Sequence, residues 1–324
     1  MSGKFGRTFW LLLLLVNLLV IGGGLAFLFS GRDYSAAQKQ NSSLIGLSYM
    51  TMNNEFYKIM SEEINDRIEA EGDRMVMRDP ALDAGRQIEQ IEEMLEMGID
   101  ALVVTPVDSD KLTEVLEKAR AQGVRIVVLD TDVSGEGLAD CTITSDNYGA
   151  GQLVGEYFLT QYDSARIVVM THEAAESGRQ RVQGFLDTVQ GREGMEIVRE
   201  IECEGQVELA MPAMQQAVSS GLEVDAVFCL NDLASVGAVA ALEENGLLEE
   251  TAVYGVDGSP DSKALIAEGM MQATAAQFPT RIGSRAADIL YDLLAGKTVE
   301  KHILIPVELV TQENVEEFGT DRWQ

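Results

Sequence analysis

The chain alternates between two patterns of hydrophobic and polar positions. Short aliphatic runs, for example 101–104 and 125–129, are typical of strands that are buried on both faces of a sheet. Between such runs lie longer stretches with apolar residues at helical spacing, as at Ile88, Ile91 and Leu95. Strands separated by helices predict right-handed crossovers and a parallel α/β sheet covered by helices.

The same alternation starts again near Asp146. Further strand-like runs follow at 166–170, 195–198, 226–229 and 253–256, each separated from the next by an intervening segment. Two doubly wound, Rossmann-like lobes in tandem are the simplest interpretation, and about 280 residues are enough to form them.

The N-terminal segment is more hydrophobic than the rest of the chain. Residues 9–29 are almost continuously apolar and long enough to cross a bilayer as a helix, and two basic residues precede them. This charge order predicts a cytoplasmic tail at 1–8, a transmembrane anchor in the lipid bilayer at 9–29 and a linker at 30–43, with the body outside the cytoplasm. The alternative is a cleaved signal peptide with a small-residue site at 24–26, which would leave a periplasmic or extracellular protein.

The net charge of the chain argues against nucleic acid as a partner. The chain has 53 acidic and 24 basic residues, a formal net charge of -29 at pH 7, and the nucleic acid backbone would repel such a surface. We therefore expect no nucleic acid partner.

Cys141, Cys203 and Cys229 lie far apart in apolar runs without metal-ligand spacing, so we expect buried free thiols, with one disulfide as the alternative.

The sequence shows no recognisable catalytic pattern. His172 and His302 are the only histidines and sit in no nucleophile or metal pattern, and Ser177 lacks the context of a hydrolase elbow. We therefore expect a binding protein without catalytic residues, metal or cofactor.

Polar residues follow most of the predicted strands. Ligands of open α/β sheets gather at the carboxyl ends of the strands, so these residues are candidates for a binding site. Eight motifs carry them, in this order: NNEFY (53–57), TPVDSD (105–110), VVLD (127–130), TSDN (144–147), GRQRVQGF (178–185), CLND (229–232), GVDGSP (255–260) and AAQFP (275–279).

Taken together, these motifs resemble those of the type I periplasmic sugar-binding proteins, and of the ribose-binding group among them. The resemblance runs from about residue 44 to residue 314. It implies two Rossmann-like lobes joined by three crossover strands, with the ligand held between lobes that close over it by a hinge motion. The implied hinges lie near 144–147, 272–277 and 302–306. The implied lobes are 44–145 with 278–305, and 146–277 with 306–324.

Carried over motif by motif, the resemblance also implies a set of ligand contacts. Carboxylates and amides can bind adjacent hydroxyls, arginine presents a rigid fork of donors, and an aromatic face covers the apolar side of a sugar ring. The implied contacts are Asn54, Phe56, Tyr57, Asp130, Arg179, Asn231, Asp257 and Gln277.

The chain departs from the ribose-binding pattern at two places. Thr131 and Asp132 follow Asp130 where ribose binders have a second cationic contact, so one guanidinium is missing. Residues 204–206 include no aromatic side chain where the family supplies an aromatic platform. The ligand can therefore be a different sugar, a polyol or another small polar molecule, and the fold alone does not choose among them.

The resemblance implies a solute-binding protein that captures a small sugar or polyol and delivers it to an ABC permease. The alternative is a sensing receptor that presents its closed form to a membrane histidine kinase or chemoreceptor. An uncleaved anchor is compatible with either partner.

Overall fold

Residues 42–324, the part of the chain that the structure describes, form two six-stranded sheets with helices packed against them. The structure is a computed structural model. The predicted tail, the predicted anchor at 9–29 and nearly all of the predicted linker lie outside the described residues. Within residues 42–324, no helix is both long and apolar enough to span a membrane.

The first sheet belongs to the N-terminal lobe, and all of its strands run parallel. Its strands are β1 (Leu44–Ser48), β2 (Arg74–Arg78), β3 (Ala101–Val104), β4 (Arg125–Leu129), β5 (Cys141–Ser145) and β11 (His302–Ile305), in the spatial order β11-β5-β4-β3-β1-β2. The helices of this lobe are α1 (Glu55–Glu71), α2 (Ala84–Glu96), α3 (Thr113–Ala121) and α9 (Pro279–Leu294). The central strand β3 is buried along its whole length, as expected for a parallel sheet covered by helices.

The second sheet belongs to the C-terminal lobe and repeats this arrangement. Its strands are β6 (Ala165–Thr171), β7 (Met195–Glu202), β8 (Ala226–Cys229), β9 (Ala252–Asp257), β10 (Ala273–Ala276) and β12 (Glu308–Thr311), in the spatial order β12-β10-β9-β8-β6-β7. Only β12 runs antiparallel to its neighbour within this described sheet. The helices are α4 (Asn147–Gln161), α5 (Glu176–Val189), α6 (Val207–Ser219), α7 (Asp232–Glu244), α8 (Pro260–Ala267) and α10 (Val315–Phe318).

The chain passes from one sheet to the other at three points. It leaves the first sheet after β5, returns between β10 and α9, which packs against α1, and leaves again between β11 and β12. Two of these crossings are tied together, because the Asp146 amide donates to the Ile305 carbonyl at 3.0 Å. The segments that the sequence predicted as hinges adjoin or overlap these crossings, and their hinge function stays a prediction.

Two glycines allow α4 and α5 to pack backbone to backbone. A Cβ at Gly151 would lie 1.9 Å from the Arg181 carbonyl oxygen, and a Cβ at Gly184 would lie 2.1 Å from the Tyr148 carbonyl oxygen. No side chain fits at either position without moving a helix. This close contact fixes α5, which carries Arg181 into the space between the lobes.

Each lobe has its own hydrophobic interior. In the C-terminal lobe, Phe158, Phe185 and Phe228 are fully buried, and the last two rings stack with centroids 4.1 Å apart. The three cysteines are buried free thiols, as the sequence predicted.

Candidate ligand-binding site

A cavity of about 240 Å³ lies between the two lobes, at the carboxyl ends of their strands. The N-terminal lobe contributes the segment after β1, the start of α1 and Asp130 at the end of β4. The C-terminal lobe contributes the start of α5, residues 204–208 and the ends of β8 and β9. Gln277 reaches the cavity from the crossing between β10 and α9. The site is therefore complete only when the lobes are together.

Arg181 and Asp257 form a buried ion pair in the cavity wall. The Arg181 Nη1 donates to Asp257 Oδ1 at 3.1 Å and to the Leu230 carbonyl at 3.2 Å, and its Nε donates to Asn147 Oδ1 at 2.8 Å. Gln277 Nε2 donates to the same Asp257 oxygen at 2.6 Å. Burial raises the pKa of Asp257, although Arg181 and these hydrogen bonds oppose the shift. The network holds a carboxylate, an amide and a guanidinium in fixed positions against the cavity.

Asp130 is the second carboxylate in the wall, and it is less completely paired. Its Oδ2 accepts from the Tyr57 hydroxyl at 3.2 Å, while its Oδ1 is buried and has no hydrogen-bond partner among the described residues. Burial raises the pKa of Asp130 to about 6, with the Asp257 charge adding to the shift and Arg181 opposing it. The same burial raises the pKa of Tyr57 well above its usual value, so its hydroxyl keeps its proton and donates.

Both carboxylates lie on strained backbone. Asp130 has φ 68° and Asp257 has φ 141°, which are values that favour glycine. Such strain costs on the order of 1–3 kcal/mol per residue and is concentrated at ligand clamps and similar functional sites. It aims both side chains into the space between the lobes instead of along the sheets.

The aromatic side chains in the described cavity lining come from the N-terminal lobe. Phe56 and Tyr57 pack edge to face with ring centroids 5.6 Å apart, and both line the cavity. Trp323, from the C-terminal segment, packs against the outer side of Phe56 at 5.5 Å. On the opposite side, residues 204–208 present glutamate, glycine, glutamine and valine. A flat ring in the cavity therefore has an aromatic side and a polar side.

Two of the predicted contacts also have a structural task. Asn54 caps α1, because its Oδ1 accepts from the Phe56 amide at 3.0 Å. Asn231 caps α7 through its Oδ1 and donates from Nδ2 to the Gly205 carbonyl at 2.9 Å. Both residues also line the cavity.

The structure brings together seven of the eight predicted contact residues and leaves out Arg179. The seven that line the cavity are Asn54, Phe56, Tyr57, Asp130, Asn231, Asp257 and Gln277. Arg179 lies outside it and donates to Glu176 Oε2 at 2.9 Å and to the Glu173 carbonyl. Two residues along a helix differ in direction by about 200°, so Arg179 and Arg181 cannot both face the cleft.

Arg181 is the arginine that the sequence reasoning missed. A helical pattern was present in the motif, because Ser177, Arg181 and Phe185 are spaced four residues apart and are all buried. His172 and Gln206 also line the cavity. Gln206 belongs to the segment 204–206, for which the resemblance implied a position beside the ligand, whereas His172 was not predicted to bind.

The lobes contact one another directly beside the cavity. The Ser177 amide at the start of α5 donates to Thr131 Oγ1 at 2.8 Å. Ser109 donates its amide to the Ala174 carbonyl at 3.0 Å, and its Oγ accepts from the Glu176 amide at 3.1 Å. These three hydrogen bonds join residues of different lobes, so the structure shows the closed arrangement.

The family model described as the periplasmic binding protein domain matches residues 45–298. The chain belongs to this family. A ribose import binding protein of Bacillus subtilis is 28% identical over 271 residues, covering 83% of this chain and 87% of the relative. A putative rhizopine-binding protein of Rhizobium meliloti is 27% identical over 287 residues, covering 86% of this chain and 93% of the relative.

The fold is also similar to that of a solved ABC transporter solute binding protein from Bacillus halodurans with bound myo-inositol. The TM-score is 0.81 at 25% identity, and the match covers 86% of this chain and 98% of the other. The predicted class of two α/β lobes with parallel sheets is confirmed. Periplasmic binding proteins act outside the cytoplasm and bind ligands without transforming them, so the expectation of a binding protein and not an enzyme is also confirmed.

Proposed function

We propose that this periplasmic binding protein captures a monosaccharide or a cyclic polyol between its lobes and delivers it to an ABC permease. The observation that carries the proposal is a closed cavity in which Arg181, Asp257 and Gln277 are bound to one another and Asp130 is bound to Tyr57, while two acceptor oxygens have no partner. These are Asp130 Oδ1 and Gln277 Oε1, which are buried and without a partner among residues 42–324.

The free acceptors point to a ligand with several donors. A buried acceptor that has lost water and gained no partner costs about 1–3 kcal/mol, and the hydroxyls of a bound sugar or polyol would remove that cost. A cavity of about 240 Å³ is smaller than the usual range of about 300–1,000 Å³ for drug-sized ligands. This volume suits a molecule of monosaccharide size.

The relatives support the same class of ligand. The Bacillus subtilis relative is named for ribose import, and the similar Bacillus halodurans structure contains myo-inositol. Pentoses, hexoses and inositols all present adjacent hydroxyls that a carboxylate, an amide and a guanidinium can bind together.

A thermal-shift screen tests the proposal. The protein would be heated with pentoses, hexoses, amino sugars and inositols at millimolar concentration. A ligand that binds only the native state raises the unfolding midpoint as its concentration increases. We expect at least one of these compounds to do so, and a midpoint unchanged by all of them would contradict the proposal.

We further propose that residues 9–29 tether the protein to the membrane with its body outside the cytoplasm. Their apolar length and the preceding basic residues support an inserted helix. N-terminal sequencing of the mature protein tests this, because a start at or near Met1 supports the tether and a start at Phe27 or shortly after it contradicts it.

A tethered protein could also present its closed form to a membrane sensor instead of a permease. Pull-down of the ligand-saturated protein from solubilised membranes, followed by mass spectrometry, separates the two possibilities. Recovery of a permease supports uptake, and recovery of a histidine kinase or chemoreceptor in its place supports sensing.

A further inference from the structure

The cavity wall has an excess of negative charge. Its carboxyl groups are Asp130, Asp257, Glu204 and Glu208, and Arg181 is the only arginine or lysine in the described lining. His172 does not add a second cation, because burial lowers its pKa below its usual value. A neutral sugar would leave this imbalance uncorrected.

Arg181, the only cation in the described lining, already has partners within the protein. Arg181 is 4% exposed and makes its ion pair with Asp257, its remaining contacts being with Asn147 and the Leu230 carbonyl. No lysine or arginine nitrogen among residues 42–324 lies within ion-pair distance of Asp130. Asp130 is 4% exposed, so its carboxylate is largely shielded from bulk solvent.

Thr131, which follows Asp130, does not supply a counter-charge. Thr131 is fully buried and neutral, and its hydroxyl is used to accept the Ser177 amide of the other lobe. A buried carboxylate without a counter-charge is costly, and a cation brought by the ligand would remove that cost.

The two acceptor oxygens without a partner also fit a ligand that carries a cationic donor group. Asp130 Oδ1 and Gln277 Oε1 belong to residues that are at least nine-tenths buried and that line the cavity, and neither oxygen has a described partner. An ammonium group has three donors and no acceptor, so it suits a wall that offers acceptors and negative charge. The charged or titratable groups that act on Asp130 are Arg181, Asp257 and Tyr57, and only Arg181 favours its ionised form by charge.

We propose that the cavity selects a ligand that carries a protonated amine, an amino sugar or an aminocyclitol, with its ammonium group paired with the Asp130 carboxylate. The ligand hydroxyls then face Arg181, Asp257 and Gln277. This inference rests on the proposed function, since it specifies the chemistry of the solute that the same cleft captures.

The test compares matched pairs of compounds by calorimetric titration at pH 7.5. The pairs are D-glucosamine with D-glucose, D-galactosamine with D-galactose, and an inosamine with its parent inositol. We expect the amine to bind at least about tenfold more tightly than its neutral partner in at least one pair. If the neutral compound binds as well or better in every pair that shows binding, the inference is wrong and the proposed function stands. If no member of any pair binds, the inference fails, while the proposed function is decided separately by the thermal-shift screen, which also includes pentoses.

A conservative variant then tests the role of Asp130. Asp130→Asn keeps the shape of the side chain and removes its charge, so the preference for the amine should fall below about threefold. Asp66→Asn is the matched control, because Asp66 is an exposed carboxylate outside the cavity. It should leave most of the preference in place. A tenfold preference that survives Asp130→Asn would overturn the assignment of the ammonium to Asp130.

Discussion

Trp323 packs against Phe56 with ring centroids 5.5 Å apart and an interplanar angle of 60°. Phe56 lies in the first turn of α1 in the N-terminal lobe. The residue before Trp323 is bound to the other lobe, since the Arg322 carbonyl accepts from Lys263 Nζ at 2.6 Å. The C-terminal segment therefore touches both lobes beside the cavity. Opening of the cleft would strain or break one of these two contacts.

This relationship predicts an optical signal for closure. The chain has two tryptophans, Trp10 and Trp323, and only Trp323 lies in the described body. We expect a saturating ligand to change the intensity or wavelength of tryptophan fluorescence, because it holds Trp323 against Phe56. The signal should disappear in Trp323→Phe. A ligand-dependent signal of unchanged size in that variant would contradict the prediction.

Arg181 and Arg179 form a matched pair of variants. Arg181→Ala leaves the buried Asp257 carboxylate without its cation, so we expect the free energy of unfolding to fall by about 3–5 kcal/mol. Arg179→Ala removes a partly exposed ion pair with Glu176, for which a loss of about 1 kcal/mol or less is expected. Urea denaturation followed by circular dichroism measures both values. Equal losses in the two variants would contradict the account of the site.

Thr131 provides a test of closure that does not alter a ligand contact. Its hydroxyl accepts the Ser177 amide across the lobes only in the closed form, so Thr131→Val should disfavour closure by about 1 kcal/mol. The expected result is a roughly fivefold weaker affinity for the ligand. Thr113→Val is the control, because the Thr113 hydroxyl bonds to the Ser134 carbonyl within one lobe. If both variants lose affinity equally, the hydrogen bond across the lobes has no special part in closure.

Asp130 also predicts a pH dependence of stability. Burial raises its pKa from 3.8 to about 6, so the folded protein binds a proton at pH values where the unfolded chain does not. A raised carboxyl pKa adds stability that is complete below about pH 4 and is lost as the pH rises through about 6.

The comparison with Asp130→Asn isolates this effect from other titrating groups such as His172, whose pKa is lowered by burial. The free energy of unfolding of the wild type minus that of Asp130→Asn should increase as the pH falls from 7 to 5, by at most about 1.4 kcal/mol per pH unit. Urea denaturation at a series of pH values checks this. A difference that does not change with pH would show that Asp130 titrates normally.

Much of the fold could be predicted from the sequence because parallel strands buried on both faces are continuous aliphatic runs. The run at 101–104 coincides with β3, and the run at 125–129 coincides with β4. The strands near the crossings were harder to predict. β11 is partly exposed and β12 is antiparallel, and no helix separates the two strands, so the alternation of strands and helices does not indicate them.

The site could be predicted in part for a related reason. Side chains at strand ends, such as Asp130 and Asp257, are placed by the topology, so their meeting follows from the order of the strands. Arg181 is placed by the rotation of α5, and that rotation depends on the packing of Gly151 and Gly184 against neighbouring backbone. The closed distance between the lobes is likewise a tertiary property that no local pattern specifies.

The central claim is that a small sugar, amino sugar or polyol binds between the lobes against Asp257. The most direct test is calorimetric titration of wild type, Asp257→Asn and the surface control Asp66→Asn with whichever compound stabilises the protein most in the thermal-shift screen. The account predicts one ligand per chain, a loss of roughly 30-fold or more in affinity for Asp257→Asn, and wild-type affinity for Asp66→Asn, because only Asp257 contacts the buried polar partners of the site. Equal affinities for wild type and a correctly folded Asp257→Asn protein would contradict it.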